Sequence, residues 1–475
     1  MAVGGHSGAG RAMSMPAQSV AAGAASTSAP TPAPTTATAV KATAITMGLH
    51  ALCTVAMVVP GLFAPVAAAD FGADPSRLGV VVAIFYLGIF LSSLACGMVL
   101  ARMGDLRAAQ LSGWLCALGM VLTALAGWGA AGASTGETAS GLARPVLLAG
   151  GLFALLFAAS LAQGLGYGML NPVGSQILFR ATPAEIRSFV FSIKQSAVPA
   201  GQMLAGLIIP TLLLFFGWQS VVLGVGLMIL AYTVAMNWMR LETSAAVHAP
   251  ADAAAQAHAK VTGGGMARAA GGGRLSEFLA PAKIVWNTPA LRELGWVGMT
   301  YSVNQLCFLS FLVSYLNLEI GMSLVLAGSL FAASQVGGML GRLTWGFVAD
   351  RWVTPRLQLG VLGVVGSACG MLLALFTTAW PLAIMAVISV IYGATAASWN
   401  GVYFAEIARL CPRDQVGRLT GGLQFYMSVG GGLGPLLFSL LVGIIGTYGV
   451  GFAVFSLPAL YVGLRLMLPR KFAAT

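Results

Sequence analysis

Lys194 is the residue whose type and place raise a chemical question first. It lies about six residues into an apolar run, in the phrase Ser192-Ile-Lys-Gln-Ser196, so its ammonium sits roughly 10 Å along a helix from the preceding loop. An ammonium at that depth in hydrocarbon costs about 2.5–3.5 kcal/mol on insertion scales. Two readings are open. Facing a central cavity, Lys194 and its neighbour Gln195 bind a carboxylate or another anion; facing lipid, Lys194 snorkels to the headgroups. Asn171 and Asn400 stand about nine residues before Arg180 and Arg409, roughly 13 Å deep and near the level of Lys194. They either line a binding site or bond neighbouring helices, the latter worth about 0.6 kcal/mol on average. Tyr301, Asn304 and Gln305 make a further polar group on one helix face, and Gln424 recurs in the place of Gln195. Tyr86, Tyr167, Trp399, Tyr403 and Gln335 are candidate walls. No Asp or Glu lies deep in an apolar run. Glu406 comes nearest, at i, i+3 from Arg409, which favours an ion pair and a gating role. His50 is then the remaining candidate proton carrier, with an ordinary pKa near 6.5; the alternative is a hydrogen-bonded packing histidine.

The elements that hold these residues follow from composition. The 475-residue chain is 58% hydrophobic and 8% charged, with mean hydropathy +0.88. A soluble domain carries about 25% charged residues, so this chain must lie mostly in lipid, where helices or closed barrels alone satisfy the backbone. Its apolar runs are about 20 residues or longer, which is helix length. Twelve helices are expected near 43–68, 78–100, 107–129, 146–171, 188–216, 218–239, 290–316, 323–346, 357–378, 381–405, 419–445 and 449–468. Residues 1–41, rich in Ala, Ser, Thr, Pro and Gly, read as a disordered tail. Residues 241–289 read as a linker, with a short interfacial helix near 276–289, between six-helix bundles at 42–240 and 290–468; 469–475 is a second tail.

The net charge of +11 does not mark a nucleic-acid binder, because the bases fall in short loops and not in a patch. Twenty-one of the 24 Lys and Arg residues sit in the termini or even-numbered loops, Arg342 counted among them. Arg77 and Arg144 occupy the odd-numbered loops, and Lys194 a helix. This bias places both termini in the cytoplasm. Cys53, Cys96, Cys116, Cys307, Cys369 and Cys411 show no CxxC spacing and read as small buried residues. There is no phosphate-binding loop, metal-ligand spacing or nucleophile elbow, so neither enzyme chemistry nor a cofactor is expected.

The chain also repeats itself. Gly97-Met-Val-Leu-Ala-Arg-Met-Gly104 and Gly346-Phe-Val-Ala-Asp-Arg-Trp352 each follow a long apolar run, 249 residues apart. Asn171, Arg180, Pro183, Gln195 and Gly201 recur at a spacing of 229 as Asn400, Arg409, Pro412, Gln424 and Gly430. Duplicated bundles with a cavity between them move solutes. With these motifs the chain resembles the major facilitator superfamily, whose loop signature is Gly-x-x-x-Asp-Arg-x-Gly-x-basic. Gly346, Asp350 and Arg351 match the second copy; Gly97, Arg102 and Gly104 match the first, with Ala101 in place of the acid. The resemblance implies an all-α membrane fold of two pseudo-symmetric six-helix bundles and a monomeric protein. It also implies a latch at these loops, complete in the second half and weakened in the first. Gln163-Gly-Leu-Gly-Tyr-Gly168 is similar to the family's proton-linked motif, with Ser160 where Arg is usual, and Val198-Pro-Ala-Gly201 departs from the antiporter motif. Ser192-Ile-Lys-Gln-Ser196 and Trp399-Asn-Gly-Val-Tyr403 resemble bacterial organic-anion and cyanate-permease-like members. The expectation is a secondary active transporter of a small organic anion in a bacterial inner membrane, working by alternating access with proton coupling or exchange. Multidrug or metabolite efflux is the alternative within that class; a membrane receptor or membrane enzyme is the alternative outside it.

Overall fold

The computed structural model describes residues 35–72, 74, 77–135, 146–183, 186–238, 280–410 and 416–469. They all belong to one unit, which spans 34–475. Among the described residues every regular element is a helix. In chain order they are α1 (Thr36–Phe71), α2 (Leu78–Met103), α3 (Asp105–Thr135), α4 (Val146–Ala181), α5 (Arg187–Gln195), α6 (Ala197–Leu212) and α7 (Trp218–Ala235). After the linker come α8 (Ala280–Asn287), α9 (Pro289–Ser314, continued by a π-turn Tyr315–Glu319), α10 (Leu324–Arg351), α11 (Pro355–Leu373) and α12 (Leu382–Ala396). The chain closes with α13 (Asn400–Leu410), α14 (Val416–Ile445) and α15 (Tyr448–Met467).

Among the described residues ten helical runs are long and apolar enough to cross a membrane. Helix α2 makes an eleventh, bent by 55° between Leu78–Ser93 and Ala95–Met103. The remaining expected crossing, 188–216, is divided into α5 and α6 at Ser196. The cause is local: Pro199 has no N–H, and its ring crowds the carbonyl of Gln195 four residues before it. The run 381–405 is likewise interrupted, at 397–399, between α12 and α13. Helix α1 starts inside the stretch expected to be a tail, because Thr35 Oγ1 caps it by accepting from Thr38 N at 3.2 Å and because Ala39 and Ala42 are buried. The expected short helix after the linker is α8, held by the buried Val285. Residues 1–34, the linker up to 279, Cys411 and residues 470–475 lie outside the described residues.

The two halves meet along three lines: α2 on α14, α6 on α10, and α1 on α9. Backbone approaches backbone at these lines, which only residues without a side chain permit. A Cβ on Gly61 would stand 2.8 Å from Ser310 O, one on Gly206 2.8 Å from Gly328 O, and one on Gly79 would collide with Pro435 O. All three contacts lie toward the end of the molecule away from the arginine-bearing loops.

The loop signatures differ in detail. Gly104 joins α2 to α3 at φ 77, a conformation that favours glycine. Gly97 is half-buried and Arg102 exposed. The acid missing at Ala101 is supplied by Asp105, the first residue of α3, which bonds Arg180 and Gln176 at 2.8 Å each. The first-half loop thus has a carboxylate at the start of the next helix, bonded to α4. In the second half Gly346 is exposed, and Arg351 lies over the Phe347 ring, 4.5 Å from its centroid. The Asp350 side chain lies outside the described residues. Arg409 bonds Glu406 on its own helix at 2.8 Å, and that hydrogen bond pushes its guanidinium pKa above the ordinary value.

Candidate functional site

The break at Ser196 creates the centre of the site. With no N–H at Pro199, the Gln195 carbonyl lacks its usual helical donor. It accepts instead from Arg342 Nη1 at 3.2 Å, across from the second half. The same guanidinium donates to Ala397 O through Nη2 at 3.2 Å and Nε at 3.4 Å. Ala397 is the residue that ends α12. One guanidinium therefore closes on the C-terminal ends of α5 and α12, where helix dipoles favour a cation by about 0.3–1 kcal/mol each.

Arg342 is the residue that sequence reasoning missed. The sequence reading counts it with the loop bases, although the eighth helix is expected to run to about 346. Helix α10 runs on to Arg351, which sinks Arg342 nine residues inside it. A signal was present: Arg342 precedes the loop glycine Gly346, just as a helix residue precedes Gly97 in the first half.

Lys194 stands immediately before Gln195 and is 1% exposed. Its Nζ donates to Asn171 Oδ1 on α4 at 2.6 Å. Gly174, one turn further along α4, makes the room: a Cβ there would stand 3.2 Å from Lys194 Cε, with Thr46 of α1 close by. Arg342 of the second half thus bonds the residue that follows Lys194 of the first. The ion pairs among the described residues are Asp105–Arg180, Glu293–Arg356 and Glu406–Arg409. None reaches the buried Lys194 or the half-buried Arg342, so two positive charges stand at the seam without a described carboxylate. Burying one uncompensated charge costs several kcal/mol, about 2.5–3.5 on insertion scales. Such a seam draws an anion.

Above Thr46 on the same face of α1 come His50 and Thr54, each one turn apart. His50 is 1% exposed, and its Nδ1 has no hydrogen-bond partner. Its ring meets the edge of Tyr167 at 5.6 Å between centroids, while Thr54 Oγ1 and Tyr167 Oη are 3.3 Å apart. Lys194 and Arg342 are both within electrostatic reach of His50. Phe85 packs against Tyr167 at 5.6 Å and against Tyr86 at 5.5 Å. Phe85 and Tyr86 also line a narrow cleft between α1, α2, α4 and α9, with Met57, Pro60, Gln163 and Leu309.

Other candidates lie elsewhere. Tyr301 donates to Leu359 O at 2.7 Å inside the second half, and Asn304 Oδ1 accepts from Tyr392 Oη at 2.6 Å and Ser456 Oγ at 3.2 Å. These two turn into the packing of α9 against α11, α12 and α15, not toward the cations. Gln305 Oε1 accepts from Trp399 Nε1 at 3.2 Å, beside the α12–α13 interruption. Tyr403 donates to Leu294 O at 3.1 Å, and Gln335 is buried against Ser334. Asn400 begins α13 half-buried, and Gln424 is exposed. The cluster around the cations therefore holds Lys194, Asn171, the Gln195 backbone and His50 from the candidates, plus Arg342.

A multi-pass helical membrane protein with a polar seam between halves is the architecture of a membrane transporter, and comparison with known proteins agrees. Residues 45–435 match the Major Facilitator Superfamily, and the chain belongs to that family, which is one of transporters and not of enzymes. It is 26% identical over 329 residues to a gallate transporter of Pseudomonas putida, covering 66% of this chain and 65% of that one. It is 29% identical over 143 residues to monocarboxylate transporter 13 of Rattus norvegicus, covering 30% of this chain and 33% of the relative. The matched region thus spans less than two thirds of either relative. In fold it is similar to a D-xylose–proton symporter (TM-score 0.63, 18% identity, 91% of this chain and 97% of that one). It is similar too to the nucleoside transporter NupG (TM-score 0.65, 11% identity, 90% and 99%).

Proposed function

We propose that this chain is a secondary transporter of a small organic acid in its carboxylate form, bound at the seam by Lys194 and Arg342. The observation that carries the reading is a buried Lys194 in the first half and, bonded to the backbone of the very next residue, a half-buried Arg342 from the second half, with no described acid paired to either. A carboxylate offers two oxygens with several lone pairs, so it can bridge an ammonium and a guanidinium at once. Bridging links the halves, which is what alternating access about a fixed midplane site requires. The aromatic wall of Phe85, Tyr86 and Tyr167 suits a ring-bearing acid. The printed names of the two relatives, gallate and monocarboxylate transporters, favour the same class. The loop arginines favour placing the basic end and both termini in the cytoplasm of a bacterial inner membrane. The cationic seam speaks against efflux of cationic drugs.

The test is a stability screen on purified protein with gallate, benzoate, lactate and pyruvate against xylose and uridine, followed by proteoliposome flux. An acid at 100 times its Kd adds about 2.7 kcal/mol of stability. The reading predicts that acids alone stabilise and that Lys194→Gln and Arg342→Gln lose both the stabilisation and the uptake. It fails if those variants take up acids as the wild type does, or if a neutral solute is the saturable substrate.

A further inference from the structure

His50 neighbours the two cations but is not one of the groups proposed to hold the carboxylate. A packing histidine satisfies its ring nitrogens. Here Nδ1 is buried without a hydrogen-bond partner, and the hydroxyl of the ring it meets, Tyr167, pairs with Thr54. Titratable groups near His50 and the Tyr167 ring it meets come from several helices. Helix α3 brings Cys116, which interacts with Cys53 of α1. Helix α4 brings Tyr167, α5 brings Lys194, and α2 brings Tyr86 one residue from Phe85. Helix α6 carries no titratable side chain, and Tyr232 of α7 is bonded to Ala44 O and Ile45 O. The acid of α9, Glu293, is bonded to Arg356, and α10 brings Arg342. Two cations lie within electrostatic reach of this unpartnered nitrogen, and the acid named here, Glu293, is already paired.

We propose that His50 carries the coupling proton of this transporter and accepts it when a carboxylate occupies Lys194 and Arg342. The inference rests on the anion-site reading above. In the empty carrier, protonating His50 would place a third positive charge beside two others. A bound carboxylate cancels one of them, so the proton enters from solution onto Nδ1 and leaves the same atom when the acid departs. By reciprocity the proton raises the affinity for the acid by the same factor. Proton and carboxylate therefore cross together, and for a monocarboxylate the loaded and empty carriers bear equal net charge. Uptake then follows a pH gradient and is indifferent to membrane potential.

The decisive measurement is proton uptake on binding. Gallate and lactate are titrated into wild-type protein in two buffers of different ionisation heat, between about pH 6 and 7.5, around the ordinary histidine value. The expected result is uptake approaching one proton per acid bound, with Kd rising toward tenfold per pH unit. His50→Gln should abolish both effects, and His50→Asn gives a second neutral replacement should the first fold poorly. In proteoliposomes His50→Gln should lose pH-driven accumulation while carboxylate-for-carboxylate exchange persists. Acid binding to the wild type without proton uptake would overturn this proposal alone. Binding of neither acid would remove it together with the anion site. Undiminished pH-driven accumulation by His50→Gln would overturn it with the anion site intact.

Discussion

The two halves of this protein repeat one another in sequence and differ in where they carry charge. At the spacing of 229 that relates Asn171 to Asn400, Lys194 is matched by Leu423, which is fully buried. At the spacing of 249 that relates Gly97 to Gly346, Arg342 is matched by Ser93, whose hydroxyl bonds back to Ile89 O at 2.7 Å. Each half thus holds one deep cation where the other holds a neutral residue. The helix breaks are equally one-sided. Pro199 corresponds to Ser428, and α14, which has no proline there, runs unbroken from Val416 to Ile445. The lesson is that the fold itself asks for neither cation nor break at these places. A neutral side chain serves the same packing in the other copy, so the charges are there for something other than the bundle.

Replacing a cation by its counterpart's neutral character tests this most severely. Lys194→Leu and Arg342→Ser, which make each half like the other, should each lower acid affinity by about 100-fold, or ~2.7 kcal/mol, in the range measured for losing one partner of a buried charge pair. Thermal-shift titration with gallate and lactate reads the loss. Stability should hold or rise for Lys194→Leu, which removes an uncompensated buried charge, and change less for the half-buried Arg342. A fall in stability with unchanged affinity would make the cations structural and dissolve the contrast.

The ends of the seam give a second contrast, between the polar side at Gln195 and the side sealed by bare backbone. Gly79→Val drives a side chain into the Pro435 carbonyl. It should cost about 1–3 kcal/mol as overpacking does and should raise the labelling of cysteines introduced at that end. Unchanged stability and labelling would mean that the close approach is not maintained in the membrane.

Pro199→Ala sharpens the comparison of the breaks. It returns an N–H to the Gln195 carbonyl, which then competes with Arg342. The helix should gain up to about 1 kcal/mol, and exchange flux should slow while Kd changes less. A variant that transports as fast as the wild type would show that the freed carbonyl has no part in the cycle.

The smallest effect is expected at Tyr301→Phe. Losing its bond to Leu359 O should cost about 1 kcal/mol in stability. Acid affinity should stay at the wild-type value, since Tyr301 lies inside one half and away from the cations. An affinity loss larger than the stability loss would return Tyr301 to the binding site.

Much of the site was legible along the chain, for reasons that are local. Helical rise places Lys194, about six residues into its helix, near the level of Asn171, nine residues before Arg180, and the two meet at 2.6 Å. Tyr301 and Asn304 were grouped correctly on one face, but a helix buried on nearly every side carries no mark of which neighbour that face will meet. Arg342 was mislaid because a helix end in an arginine-rich region shows no sharp drop in hydropathy.

Sequence by itself determined that the chain is a membrane-embedded helical duplication, because lipid as solvent enforces composition and helix length residue by residue. The tertiary structure alone decided that Arg342 would close on Gln195 at a separation of 147 residues, and that His50 would stand between Lys194 and Tyr167. Such meetings depend on how whole helices lean on one another across the seam, and no stretch of chain short enough to have a periodicity contains both partners.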